Sequence, residues 1–237
     1  MKIGIIGYGI VGKATKKSFT SGHEVIIFDL DNGSFSDMFD CDLVFICMST
    51  NSIQDLDILK SYCTSLSMPV IIRSTITPGF TRSLDDNIMF MPEFLRERHW
   101  ERDCVDSYKI LGTDSPVDIE LLKLLGYPQV VPTGEAEMVK MMSNVFAALK
   151  ITCANHFYNY SKELDIDYSV VRNLLQKTYT NQDYLEVTDS MRGFGGKCLP
   201  KDLELLLHEM ETHSLKQTLF TAVKNDNSLW PITIRDD

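Results

Sequence analysis

Three groups of residues have types and spacings that could do chemistry. The first is the run Gly193-Phe194-Gly195-Gly196-Lys197-Cys198-Leu199-Pro200-Lys201-Asp202. A cysteine between a glycine-rich loop and a helix beginning near Pro200 lies close to the positive end of that helix, which favours the thiolate and makes a nucleophile. Lys197 and Lys201 push in the same direction. Taken alone, a cysteine is more often a small buried apolar side chain. The second group is Lys140 and Asn144, whose i,i+4 spacing puts a cation and an amide on one helix face. That pair suits a developing oxyanion, and equally an ordinary polar helix face.

The third group is at the N-terminus, where a strand over residues 3–6 runs into Gly7-Tyr8-Gly9-Ile10-Val11-Gly12 and then a helical stretch. Gly7 serves a tight turn, Gly9 lets the backbone approach a pyrophosphate, and Gly12 allows close helix packing. The helix N-terminus at Ile10 and Val11 offers N–H groups to phosphates. The next strand ends in Asp29, where a carboxylate binds the adenine ribose hydroxyls and repels a 2′-phosphate, so NAD is expected rather than NADP. FAD and S-adenosylmethionine use related turns, and the glycines could simply shape a βα turn.

The elements that must position these groups alternate in the first half of the chain. β-rich runs at residues 2–6, 24–29, 42–47, 69–73, 88–90 and 109–112 are separated by amphipathic stretches, which implies a Rossmann-type α/β fold with a doubly wound parallel sheet. From Thr133, read as an N-cap, one long helix is expected to about Lys162, with helices following over 168–175, 200–210 and 215–229. The expected domains are a dinucleotide domain over 1–131 and an all-helical domain with a long central helix over 132–237.

A formal charge of −10 in 237 residues argues against nucleic acid as a partner. Six cysteines lack CxxC spacing, so no metal site or disulfide framework is expected. The opening apolar run is too short for a signal peptide or membrane span, and a cytoplasmic protein with no membrane partner is expected.

Four blocks, in order, resemble the UDP-glucose/GDP-mannose 6-dehydrogenase family. They are Arg73-Ser74-Thr75-Ile76-Thr77-Pro78-Gly79, Met91-Pro92-Glu93-Phe94-Leu95-Arg96-Glu97, Ala136 to Lys140 with Asn144, and the cysteine run. The resemblance implies NAD-dependent oxidation of a nucleotide-sugar C6 alcohol to the carboxylate. In that scheme Cys198 forms a thiohemiacetal and then a thioester. Lys140 and Asn144 stabilise the oxyanion, Glu93 assists thioester hydrolysis, and Asp202 with Thr75 orients water. Thr50, Thr75, Glu97 and Lys201 line the NAD site, while Gly195, with Glu93, Lys140 and Asn144, contacts the sugar. The long helix packs between subunits of a homodimer.

Two departures stand out. Family members carry a third, nucleotide-binding domain, whereas this sequence stops at Asp237, so the substrate pocket is expected to be open or completed by another polypeptide. The segment Leu30 to Asp40 is also much shorter than usual, which is expected to expose the adenosine end of NAD. Competing readings are a dehydrogenase of a smaller alcohol or hydroxyacid and a catalytically silent NAD-binding subunit.

Overall fold

The computed structural model describes residues 1–178, 186–196 and 198–233, and the chain forms two compact units, Met1–Met141 and Met142–Asp237. Unit one contains strands β1 (Lys2–Ile6), β2 (Glu24–Phe28), β3 (Leu43–Ile46), β4 (Val70–Ile72), β5 (Ile88–Phe90), β6 (Ile110–Gly112) and β7 (Gln129–Val131). They form one sheet in the order β2-β1-β3-β4-β5-β6-β7. Helices α1 (Ile10–Phe19), α2 (Ile53–Ser65), α3 (Trp100–Asp106) and α4 (Ile119–Leu124) flank it. The strand order reverses at β1 and β3, the switch point where α/β sheets bind ligands at their carboxyl edge.

Alternation along each strand builds a core on both faces. Ile3, Ile5, Leu43, Phe45 and Ile71 point to one side, with Phe19 of α1. Ile6, Val44, Ile46, Val70 and Ile72 point to the other, with Leu59 and Cys63 of α2. Each such side chain, taken fully from water, contributes roughly 1.5–3 kcal/mol. This two-sided burial is why β3 and β4 are apolar throughout.

Three details differ from the expectation. β6 pairs antiparallel to β5 through Phe90 and Gly112, because α3, the helix between them, packs on α1 instead of forming a crossover over β5 and β6. β7 is an additional strand, three residues long between Pro128 and Pro132, too short to declare a period. Thr133 does not cap with its hydroxyl. Its Oγ1 donates to Asp114 Oδ2 at 2.6 Å and its N–H to Asp114 Oδ1 at 3.3 Å, so a carboxylate from a distant loop caps the helix instead.

The short segment after Asp29 is an ordered cover. Its 3-10 helix at Phe35–Asp40 buries Met38 completely, and a Cβ on Gly4 would meet Met38 Sδ at 2.8 Å. Leu30, beside Asp29, is 95% exposed.

Helix α5 (Thr133–Glu163) begins in unit one and continues into unit two, where α6 (Tyr168–Thr178), α7 (Leu199–Thr212) and α8 (Thr218–Asn227) follow. Ala154, Tyr168 and Val187 form a small core with Tyr158. α7 and α8 pack together, joined at their surface by Lys224 and Glu204 at 2.7 Å. No described helix is long and apolar enough to cross a membrane.

Candidate active site

The glycine turn at the end of β1 separates what the fold requires from what a ligand requires. Gly7 has φ +88°, and a Cβ there would sit 2.7 Å from the Met48 amide nitrogen. A Cβ on Gly12 would fall on the Gly7 carbonyl oxygen. Both glycines are therefore demanded by the turn itself. Gly9, the N-cap of α1, has an ordinary φ of −70°, and a Cβ there would meet nothing within 4 Å. Among the described residues no side chain caps this helix, so Ile10 and Val11 open a helix end whose N–H groups suit a ligand. Asp29 is anchored beside it, its Oδ2 accepting from Tyr8 N at 2.6 Å and its Oδ1 from Leu30 N at 2.7 Å.

A measurable contrast follows. Gly9→Ala should cost the free protein no more than about 1 kcal/mol, and, if the turn holds the expected dinucleotide, should remove the rise in Tm expected with NAD. Gly12→Ala should itself cost about 1–3 kcal/mol through forced backbone movement. Thermal unfolding with and without NAD checks both; an undiminished NAD response in Gly9→Ala would remove the turn from the binding site.

Elsewhere in unit one, Thr50 Oγ1 donates to the Thr75 carbonyl at 2.6 Å, joining the loops after β3 and β4. Both threonines are buried. Glu97 is exposed on a one-turn 3-10 helix. Glu93 is buried and paired with Lys140, whose Nζ donates to Glu93 Oε1 and to the Glu93 carbonyl, each at 2.7 Å. Glu93 Oε2 accepts from Leu95 N at 2.8 Å. Burial alone would raise the Glu93 pKa, but the charge and hydrogen bond of Lys140, the Leu95 amide and the Arg73 guanidinium outweigh it and hold the carboxyl below the usual range. The loop is fixed from its other end by Arg96, which forks onto both oxygens of Asp103.

In unit two, Cys198 is exposed and is the N-cap residue of α7, with Pro200 in the first turn. Asp202, also in that first turn, is fully buried. Its Oδ2 accepts a short hydrogen bond from Asn144 Nδ2, and its Oδ1 lies 3.5 Å from Lys201 Nζ with no hydrogen-bond partner among the described residues. Asn144 and Lys140 are one turn apart on α5, but each is engaged by a different carboxylate. Lys197 lies outside the described residues. Gly195 donates its N–H to the Thr233 carbonyl at 2.9 Å, so that N–H is occupied within the protein.

Sequence reading did not foresee which residues hold these loops. Glu137 is fully buried and accepts from Gly79 N at 2.6 Å and Thr81 N at 2.8 Å. It falls on the buried stripe of α5 with Ala136, Lys140 and Met141, and helical periodicity could have marked it as an inward-facing carboxylate. Arg192 donates to Asn155 Oδ1 at 2.7 Å and Asn159 Oδ1 at 2.8 Å, and its guanidinium lies over the Tyr158 and Trp230 rings. No motif announces that cluster.

Residues 134–228 match the central domain of the UDP-glucose/GDP-mannose dehydrogenase family. The chain is 24% identical to the UDP-glucose 6-dehydrogenase of Campylobacter jejuni, an alignment covering 97% of this chain and 72% of that protein. Against other curated relatives it spans 56% and 52% of their length. Its fold is similar to a UDP-glucose dehydrogenase from Pyrobaculum islandicum, with TM-score 0.80 and 22% identity over 96% of this chain and 68% of that one. It is also similar to the 3-hydroxyisobutyrate dehydrogenase of Mycobacterium tuberculosis, with TM-score 0.73 and 14% identity over 96% of this chain and 92% of that one.

Proposed function

We propose that the chain, whose residues 134–228 match the central domain of the UDP-glucose/GDP-mannose dehydrogenase family, is a member of it and oxidises the C6 alcohol of a nucleotide sugar to the carboxylate with NAD. What carries the reading is the presence in one chain of an open glycine turn at Gly9 and an exposed cysteine at the start of α7. The domain roles follow: residues 1–131 bind the dinucleotide and 132–237 carry the cysteine loop.

The open space at Gly9 and the uncapped start of α1 fit a pyrophosphate, and Asp29 beside the turn fits a ribose diol better than a 2′-phosphate. NAD, when bound, supplies the hydride acceptor for each of two oxidations. The first yields the C6 aldehyde and a proton. The Cys198 thiolate then adds to the aldehyde carbon, and the resulting alkoxide takes up a proton to give a thiohemiacetal, with Asn144 and Lys140 as donors to the oxygen. Loss of a second hydride and that hydroxyl proton leaves a thioester. Water adds to it, the carbon–sulfur bond breaks, and the carboxylic acid leaves as carboxylate. Glu93, held ionised by Lys140, is the base for that water, and Asp202 with Thr75 orients it.

The direct test is NADH formation against a panel of UDP- and GDP-sugars run beside simple alcohols and hydroxyacids. Two NADH per sugar oxidised are expected. The 92% coverage of the 3-hydroxyisobutyrate dehydrogenase chain favours a second reading, a small-hydroxyacid dehydrogenase on the same fold. That reading predicts one NADH per turnover.

The same family premise leads us to propose a homodimer through α5. Met142, Phe146, Phe157 and Tyr160 on this helix are each at least half exposed, and a contiguous apolar helix face of this kind marks an association surface. Light scattering should return twice the 27.0 kDa chain mass, and Phe146→Glu should return the single mass. A monomeric wild-type protein would refute it.

A further inference from the structure

The cysteine loop is held by an element outside the four sequence blocks. Asn227, the last residue of α8, turns its carboxamide onto the backbone of Phe194. Its Oδ1 accepts from Phe194 N at 2.7 Å and its Nδ2 donates to Phe194 O at 2.9 Å. The amide thus stands where a neighbouring strand would, satisfying both main-chain groups of a residue whose ring is 1% exposed. The fit is tight, since a Cβ on Gly193 would lie 2.6 Å from Asn227 Oδ1. Glycine at 193 is therefore explained by the approach of this side chain.

Between the Phe194 anchor and Cys198 lie only Gly195, Gly196 and residue 197. Gly196 has φ +77°, and glycines give the loop many alternative paths unless its ends are fixed. One end is fixed by α7, which begins directly after Cys198, and the other by Asn227 on Phe194 together with the Thr233 carbonyl, which accepts from Gly195 N at 2.9 Å. We propose that Asn227 is a positioning residue for Cys198, setting the conformation in which the thiol is presented at the start of α7. Asparagine is specified by chemistry, because an aspartate accepts from Phe194 N but confronts Phe194 O with a second acceptor, and an alanine leaves both groups unpaired. The inference rests on the proposed role of Cys198 for its catalytic consequence, but its geometric content stands apart from that role.

The test compares the wild-type chain with Asn227→Ala and Asn227→Asp in two assays. Iodoacetamide labelling, resolved by residue across pH 6–10, reports Cys198, with exposed Cys153 as internal reference. In both variants the pH midpoint and rate for Cys198 should change while those of Cys153 stay the same. In the NADH assay kcat should fall about tenfold or more with KM for NAD unchanged, since a 1 Å misplacement can cost roughly 100-fold. Where Asn227→Ala does not fold, Asn227→Asp, which keeps one of the two bonds, gives the same readouts. Cys198 labelling indistinguishable from wild type in a folded variant overturns the proposal. Altered labelling in a protein whose wild type oxidises no nucleotide sugar overturns the function instead and leaves the positioning role standing.

Discussion

Cys198→Ser should abolish complete oxidation while leaving the fold and NAD binding intact. The side chain is exposed at the start of α7, and sulfur and hydroxyl oxygen differ little in volume, so the exchange disturbs little packing. The chemical cost is large because a serine hydroxyl at neutral pH is not ionised. Removing a nucleophile in well-studied hydrolases costs roughly a millionfold, and a loss of at least about a thousandfold in carboxylate formation is expected on the same grounds. Product analysis by mass spectrometry separates the outcomes. A trace of aldehyde without carboxylate supports the covalent route, whereas undiminished turnover would assign the chain to hydroxyacid chemistry that needs no thiol.

Lys140→Met should be the most damaging substitution for stability. It strands the Glu93 carboxylate, 7% exposed, without its cation, and breaking a buried pair from one side costs about 3–5 kcal/mol. For a chain of this length that corresponds to a fall in Tm on the order of 10 °C. Adding Glu93→Gln should restore part of the loss, because the unpaired charge goes with it.

The pH dependence gives the sign. In the wild type the folded pKa of Glu93 lies below its unfolded value of about 4.3. Its contribution is therefore complete above that value and is lost as pH falls through the folded pKa. In Lys140→Met the largest of the opposing influences is gone and burial is countered only by the Leu95 amide and Arg73, so the Glu93 pKa moves up and less stability is lost as pH falls. The two melting curves should converge on acidification. Curves that stay parallel from pH 7 down through the acid range below pH 4 would falsify the pairing as the source of the loss.

Much of unit one was legible because its signals are local. Two-sided burial writes uninterrupted apolar strands at Leu43–Ile46 and Val70–Ile72, and the glycine turn writes its own steric demands at Gly7 and Gly12. The helices of unit two were legible from their spacing, α5 ending one residue beyond its expected end. The direction of β6 was not, since nothing in Ile110-Leu111-Gly112 records which end of the sheet the chain returns to. Nor was the partnering of the polar residues. Lys140 and Asn144 share a helix face, but Glu93 is 47 positions from the first and Asp202 58 from the second, and spacing along one helix cannot say what arrives from elsewhere. Asn227 was invisible for the same reason. Its function is to supply a missing strand to Phe194, a tertiary task that leaves no local pattern.

Glu137 and Lys140 sit within one turn of α5, and each grips a different loop, the first at Gly79 and Thr81 and the second at Glu93. Neither loop can detach without giving up contacts to that turn, and fraying of the turn would release both at once. They should therefore exchange their amide hydrogens as a single cooperative module rather than as two independent flaps.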